Sequence, residues 1–261
     1  MADQPRPDEL EGTEQPFVSH LIELRDRMVR ALIAVGICFG VLAVWPGPAG
    51  LYDLLAQPLV AHLPEGTKLI ATNVISPFMV PLKITLFVAL LGALPYVLYQ
   101  VWAFVAPGLY QHEKRLALPV IVSSVLMFFA GIAYCYFVVF RVVFRFIARF
   151  APGSVSVTPD IDAYFSFVLR MFVAFGVTFE VPIAVLLMVR LGITSIARLR
   201  QARPYVIVGA FVVAAIFTPP DVLSQLLLAL PLCLLFELGV LLAAVFGVSP
   251  QARSESGPAA G

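Results

Sequence analysis

Long apolar segments separated by short polar ones occupy most of this chain. A helix needs about 20 mainly apolar residues to cross a hydrocarbon core about 30 Å thick, and four separate segments approach or exceed that length. They run from Met28 to Trp45, from Pro77 to Ala106, from Pro119 to Phe140 and from Asp162 to Val189. The pattern therefore predicts four transmembrane helices before the last quarter of the chain.

The last apolar stretch, from Pro204 to Val248, is too long for one span and contains the sequence Thr-Pro-Pro-Asp at 218–221. Because proline lacks a backbone N–H and breaks a helix, the stretch is predicted to form two spans joined by a tight turn. The first of these, ending at Phe217, would be about 21 Å long at 1.5 Å per residue. We expect this hairpin to thin the bilayer or to rest against neighbouring helices.

The predicted fold class is an all-α polytopic membrane protein with six transmembrane helices. Residues 1–16 are predicted to form a polar cytoplasmic tail, 17–248 the six-helix domain and 249–261 a short second tail. Composition agrees, since 61% of the residues are hydrophobic and only 13% are charged, against about 25% charged in soluble domains. The acidic first tail lacks an apolar run, so a cleavable signal peptide is not predicted.

The distribution of cations predicts the orientation of the spans. An even number of spans places both termini on one side, and most of the 17 Lys and Arg residues fall on that side. Cytoplasmic loops carry such an excess, so both termini are predicted to be cytoplasmic. Arg141, Arg145 and Arg149 run against this bias, and we attribute them to side chains that extend to the opposite interface.

An amphipathic basic stretch, Ser19–Arg30, leads into the first apolar segment. On a helix, apolar residues three and four apart form a stripe beside an arc that carries Glu23 and Arg27. Glu23 and Arg27 are four residues apart, a pairing that contributes only a few tenths of a kcal/mol, about 0.2–0.5. At this level the stretch is either a solvated flank that orients the first helix or a polar binding site.

Glu180 is the most informative single residue inside an apolar segment. It lies ten residues, about 15 Å of helix, from Arg190 at the inner end of its span, and so near the bilayer centre. A carboxylate there is costly, about 2.5–3.5 kcal/mol on insertion scales, and marks a functional site by default. The alternative is a protonated carboxyl group hydrogen-bonded to a neighbouring helix.

Motifs for hydrolytic chemistry are absent from the sequence. There is no phosphate-binding loop, no His-Glu-x-x-His and no Gly-x-Ser-x-Gly. The three cysteines lie in apolar runs and the three histidines are far apart in sequence, so neither a disulfide framework nor a metal site is indicated. We predict a protein that is not an enzyme and needs no cofactor.

The chain resembles the TatC family, the polytopic subunit of the twin-arginine protein translocase. The resemblance covers about Pro16 to Val248 and rests on several long motifs in the family's order. They are SHLIELRDR (Ser19–Arg27), IATNVISPF (Ile70–Phe78), LYQVWAFVAPGLYQHEKR (Leu98–Arg115), AFGVTFEVP (Ala174–Pro182), RPYVIVGAFVV (Arg203–Val213) and TPPD (Thr218–Asp221).

The resemblance implies a signal-peptide receptor on the cytoplasmic face. Its signal-peptide-binding residues would be Glu23, Glu113, Arg25 and Phe104, and Glu180 would be the intramembrane polar residue that meets partner helices. Each of two adjacent guanidinium groups would pair with one carboxylate, because the planar fork of arginine matches a carboxylate bidentately. Two further residues match family positions on the outer side: Pro58 and Asp221.

The resemblance also implies a fold and a set of partners. The fold would have six spans, with short fifth and sixth spans and both termini in the cytoplasm, in the bacterial cytoplasmic (inner) membrane. Partners would be TatA-type and TatB-type single-span subunits, twin-arginine signal peptides of folded cargo, the lipid bilayer and further copies of the chain, but no nucleic acid. Transport would be driven by the proton-motive force.

Two other functions remain open from the residues themselves. A proton-coupled secondary transporter of small solutes would use Glu180 as its proton site, and broken helices in pseudo-symmetric pairs would favour it. A structural membrane scaffold would leave Glu23 and Glu113 dispensable. At Arg170 we expect an uncharged residue in most relatives, so the local interface is predicted to differ from the family pattern.

Overall fold

The computed structural model describes residues 8–60, 69–105, 114–150, 160–218 and 222–246, and this part is helical apart from loops and one isolated bridge between Ile70 and Asp160. A π-helical turn, Cys135–Val139, separates two of the α-helices. The α-helices are α1 (Asp8–Val44), α2 (Gly47–Val60), α3 (Ser76–Val105), α4 (Lys114–Tyr134), α5 (Phe140–Phe150), α6 (Ile161–Thr178), α7 (Val181–Arg190), α8 (Ile196–Gln201), α9 (Arg203–Phe217) and α10 (Val222–Phe246).

Five helical segments are long and apolar enough to cross a membrane, and a shorter sixth accompanies them. The five are His20–Val44, Ser76–Val105, Leu118–Phe146, Ile161–Arg190 and Val222–Phe246, and the shorter one is Arg203–Phe217. The prediction of an all-α membrane fold with six spans is confirmed. The division into two tails and one domain stays a prediction, although α1 begins at Asp8, inside the predicted first tail.

The last two helices differ in length. The fifth span, α9, has 15 residues, about 22 Å, so its predicted shortness is confirmed. The sixth, α10, has 25 residues, about 37 Å, which exceeds the hydrocarbon core. A short sixth span was therefore a wrong expectation, because the apolar run after the turn continues unbroken as helix to Phe246.

The core of the bundle lies around α6. Phe140, Phe165 and Phe175 are among the largest side chains that are completely buried, and their van der Waals packing against neighbouring helices stabilises the bundle. Glycine lets α4 approach α6 closely, since a Cβ atom placed on Gly131 would lie 2.5 Å from the carbonyl oxygen of Phe175. No larger residue fits there without separating the two helices.

Hydrogen bonds around Asp160, which we call the polar latch, lie at the end of the bundle that carries α2. We call this end of the bundle the outer end. Asp160 caps α6 through the backbone N–H groups of Asp162 and Ala163, which donate to Oδ1 at 2.9 and 3.0 Å. The hydroxyl and N–H of Thr72 donate to Oδ2 at 2.6 and 2.9 Å. These hydrogen bonds lower the pKa of Asp160 to about 2, and the bond from the Thr72 hydroxyl has the largest effect. The polar latch therefore favours the charged form of the carboxylate.

Helix α2 forms part of the same outer cap. The spacing of Leu51, Leu54, Leu55 and Leu59 predicts a short amphipathic helix that ends near Pro58, and α2, which covers Gly47–Val60, confirms that helix. Leu51 is buried and the ring of Tyr52 lies 5.5 Å from that of Phe165, which anchors α2 on the core. The side chain of Pro58 lies outside the described residues.

Candidate functional site

A polar cluster lies at the inner end of the bundle, where α1 passes the last turns of α3. Glu23 accepts two hydrogen bonds from the guanidinium group of Arg27, from Nε at 2.9 Å and from Nη2 at 2.6 Å, both on Oε1. Arg27 also donates from Nη1 to Oε1 of Gln100 at 3.4 Å. The predicted pair between Glu23 and Arg27 is confirmed, and Gln100 fixes it against a second helix.

An aromatic pair lies beside this cluster. The rings of His20 and Phe104 stack with centroids 4.4 Å apart and planes 17° apart. This contact joins the polar arc of α1 to the end of α3, and Phe104 remains partly exposed. Phe104 therefore lies next to the Glu23 region, because α1 and α3 pack against each other there.

An apolar groove of about 350 Å³ begins at this cluster and runs between α1 and α3. Arg27, Gln100 and Phe104 line its inner end, and aliphatic side chains line the rest. These include Leu24, Met28, Ala31, Leu32, Val35, Leu90, Val97 and Val101. The volume falls within the range of about 300–1,000 Å³ that is typical of ligand sites. Glu23 holds Arg27, which lines the inner end of the groove, and a carboxylate adjacent to an apolar groove suits a ligand with a cationic end and an apolar body.

Arg25 is placed differently from the other predicted site residues. Its side chain is 67% exposed and pairs with the adjacent carboxylate of Asp26, with Nη2 2.8 Å and Nε 3.0 Å from Oδ1. The described contacts do not bring Arg25 to Glu23. Two other predicted residues, Glu113 and Asp221, lie outside the described residues, so the pairing of Glu23 with Glu113 stays a prediction.

Glu180 occupies a break between α6 and α7. Pro182, in the first turn of α7, has no backbone N–H to continue the helix, and Glu180 precedes that turn in helical geometry without a side-chain cap. Both carboxyl oxygens are buried and neither has a well-formed hydrogen bond among the described residues. The hydroxyl of Ser124, which accepts a bond from the Trp102 indole at 2.8 Å, faces this carboxyl group.

Three polar residues of these sites, Gln100, Ser124 and Trp102, were missed by reasoning from the sequence. Gln100 and Ser124 are buried inside transmembrane helices, and Trp102 donates to the latter. A signal for Gln100 exists, because it is an amide in an otherwise apolar segment and a polar group in lipid is retained when it has a partner. His20 lies on the same arc of α1 as Glu23 and Arg27, but nothing in the sequence identifies its aromatic partner.

Comparison with known proteins agrees with this geometry. The chain is 50% identical over 253 residues to the Sec-independent protein translocase protein TatC of Azotobacter chroococcum mcd 1, covering 97% of this chain and 98% of that protein. It is 52% identical over 226 residues to the TatC protein of Escherichia coli strain K12, with 87% of each chain covered.

A solved structure is also similar. A crystal structure of a twin-arginine translocase receptor, TatC, superposes with a TM-score of 0.75 at 37% identity, covering 87% of this chain and 98% of that one. The family model described as Sec-independent protein translocase protein (TatC) matches residues 19–231. With its transmembrane helices, the chain is a multi-pass protein of the bacterial inner membrane, and it belongs to the TatC family of protein translocase subunits.

Proposed function

We propose that this translocase subunit binds twin-arginine signal peptides at the inner end of α1 and α3. The observation that carries the proposal is the Glu23 carboxylate, which already holds a guanidinium group at the mouth of an apolar groove. The same carboxylate is suited to an arginine of an incoming peptide. The solved relative of the same fold is named a twin-arginine translocase receptor, which supports this assignment.

Arg27 would act as the resident partner of Glu23 until a peptide binds. The pair is partly exposed, with 23% of the Arg27 side chain and 39% of the Glu23 side chain accessible. Partly exposed ion pairs contribute about 0.2–1 kcal/mol, so an incoming arginine displaces or shares this contact at little cost. The 3.4 Å bond to Gln100 gives the displaced guanidinium group a second acceptor.

The groove would receive the apolar segment that follows the two arginines. Its aliphatic walls run from the Glu23 cluster along α1 and α3, and burial of apolar surface contributes about 25 cal/mol per Å². Phe104, stacked on His20 at the entrance, would contact the junction between the cationic and apolar parts. The ion pair between Glu23 and the peptide arginine would then fix the position of the peptide along the groove, while apolar contacts in the groove would supply most of the affinity.

Glu113 would supply the second carboxylate and Arg25 would contribute to the rim. Two neighbouring guanidinium groups carry two charges, and one carboxylate leaves one of them unpaired. Arg25 is held by Asp26, so its role would be to shape the surface and not to contact Glu23. With both termini in the cytoplasm, all four predicted residues would face cargo before transport.

Glu180 would serve a different step, the contact with single-span subunits of the TatA and TatB type. Its carboxyl group lies beside Ser124 at the break in the fourth span, buried and without a hydrogen bond among the described residues, and a polar side chain of a partner helix would reach it once the helices around the break separate. Assembly with these subunits and with further copies of the chain, and export of folded cargo driven by the proton-motive force, complete the proposal. Its role is that of a receptor and scaffold and not of an enzyme. The family comparison does not favour a small-solute transporter.

Crosslinking of a twin-arginine signal peptide in native membranes tests the site. The variants Glu23→Ala and Glu113→Ala are expected to lose most of the crosslink to α1 and α3, while Asp53→Ala, which removes an exposed carboxylate of α2 at the outer end, retains it. Wild-type crosslinking in both Glu23 and Glu113 variants would show that the site is elsewhere.

A further inference from the structure

A second groove, of about 720 Å³, lies toward the outer end of the bundle between α1, α3 and α6. Its walls are aliphatic and aromatic, and it shares Leu32, Val35 and Leu90 with the groove that begins at Arg27. Two cationic side chains, Lys83 and Arg170, also line it. The groove is thus apolar along its length and positively charged at one side.

The two cations differ in how they are satisfied. The amino group of Lys83 lies 2.6 Å from Oδ1 of Asp162 and donates to the hydroxyl of Ser166 at 3.0 Å. Arg170 donates from Nε to the backbone oxygen of Ser166 at 3.2 Å, and no carboxylate pairs with it in the described part of the chain. Asp162 neutralises Lys83, whereas Arg170 keeps its charge, so the groove carries a net charge of +1 at this point.

The depth of these cations corresponds to the outer part of the bilayer. Arg170 lies nine residues after Ile161, where α6 begins, and Lys83 lies seven residues after Ser76, where α3 begins. At 1.5 Å per residue these offsets are about 14 and 10 Å from the outer helix ends. Long cationic side chains at such depths extend their charged ends to the headgroup level.

We propose that this groove binds one anionic phospholipid of the leaflet at the outer end, with its phosphate on Arg170 and an acyl chain along the apolar wall. The guanidinium group presents a planar fork that pairs with a phosphate through two parallel bonds. The net positive charge favours an anionic headgroup, and the groove runs inward from the cation past Leu86 and Val173. A lipid, with one charge at the interface and a long apolar chain, matches that layout.

Native mass spectrometry of the detergent-purified protein tests this binding. The protein is exchanged against phosphatidylglycerol or phosphatidylcholine of identical acyl chains, and the bound fraction is measured at increasing lipid concentration. We expect phosphatidylglycerol to be retained preferentially. Arg170→Gln should weaken that retention about tenfold, corresponding to about 1.4 kcal/mol, and Arg170→Lys should weaken it less, because an ammonium lacks the fork.

Arg145→Gln is the matched control, since Arg145 is an exposed arginine of α5 outside the groove. It should leave retention unchanged. The proposal is overturned if Arg170→Gln retains phosphatidylglycerol like wild type, if Arg145→Gln weakens it equally, or if wild type retains both lipids equally.

A second variant separates lipid binding from misfolding. Val173→Trp fills the groove and leaves Arg170 in place, and its folding is checked by its unfolding temperature in lipid-free detergent. Loss of phosphatidylglycerol from the folded variant supports the acyl-chain position, whereas undiminished retention overturns it. If Arg170→Gln instead loses a co-expressed single-span subunit and lipid retention is unchanged, the occupant is a carboxylate of that helix and the lipid proposal fails.

Discussion

Replacement of Gly131 by alanine tests whether the close approach of α4 and α6 supports the fold. The added Cβ would lie 2.5 Å from the Phe175 carbonyl oxygen and 2.9 Å from its carbon. Ordinary contact begins near 3.4 Å, so the helices must separate by about 0.9 Å locally, and a backbone carbonyl cannot turn aside as a side chain can. Overpacking of this kind costs about 1–3 kcal/mol.

Gly209→Ala provides a matched control in another transmembrane helix. A Cβ atom at Gly209 meets nothing within 4 Å, so that variant shares the gain in helix propensity, about 0.5–1 kcal/mol, without the clash. Thermal unfolding in detergent, followed by circular dichroism or size exclusion, compares the two proteins. We expect Gly131→Ala to unfold at a lower temperature than Gly209→Ala, by on the order of 2–4 °C for each kcal/mol. Equal unfolding temperatures would refute the packing argument.

Three further predictions concern the polar groups. Asp160→Asn should lower the unfolding temperature at neutral pH. The pKa of Asp160 in the folded protein, about 2, lies below the unfolded value near 3.9, so the difference in unfolding temperature between wild type and variant should be complete above about pH 4 and disappear as the pH falls toward 2. A difference that does not depend on pH would contradict the role of the Asp160 carboxylate. Arg27→Gln, which frees Glu23, should strengthen twin-arginine peptide binding up to about fivefold, as expected for release of about 1 kcal/mol; weaker binding would show that Arg27 positions the carboxylate and does not compete for it. Glu180→Gln should leave peptide crosslinking intact but reduce co-purification of single-span subunits, and unchanged co-purification would count against its proposed role.

The spans could be predicted because length and hydrophobicity alone decide whether a helix can cross a bilayer. The same reasoning located the turn before α10, where two prolines interrupt the apolar pattern. The expectation of a short sixth span came from the family resemblance, whereas the apolar run after the prolines, up to Val248, is long enough for the 25-residue helix α10.

The candidate site was only partly predictable. The pair between Glu23 and Arg27 follows from helix periodicity, so the sequence determines it almost alone. The contacts of Arg27 with Gln100 and of His20 with Phe104 join residues more than 70 positions apart, and they depend on how α1 packs against α3. Periodicity places residues on a face of one helix but does not identify the helix that the face meets.

The break at Glu180 shows the same division between local and tertiary information. Pro182 is a local signal that the fourth apolar segment is interrupted. The burial of the Glu180 carboxyl group beside Ser124 arises from the packing of α4 and could not be read from sequence. Reasoning from the residues alone identified the Glu180 carboxyl group as costly to place in the membrane but did not identify Ser124 as its neighbour.

The central claim, that Glu23 recognises a guanidinium group of the signal peptide, is tested most directly by a double-mutant cycle. Affinities of a twin-arginine peptide and a twin-lysine peptide are measured for wild type and Glu23→Gln in the same detergent. Wild type should bind the twin-arginine peptide about tenfold more tightly than the twin-lysine peptide, since charge-assisted hydrogen bonds contribute about 1.5–3 kcal/mol and about 1.4 kcal/mol corresponds to tenfold. Glu23→Gln should bind the twin-arginine peptide more weakly than wild type does and lose most of the preference for arginine over lysine. An undiminished arginine preference in Glu23→Gln would contradict the account.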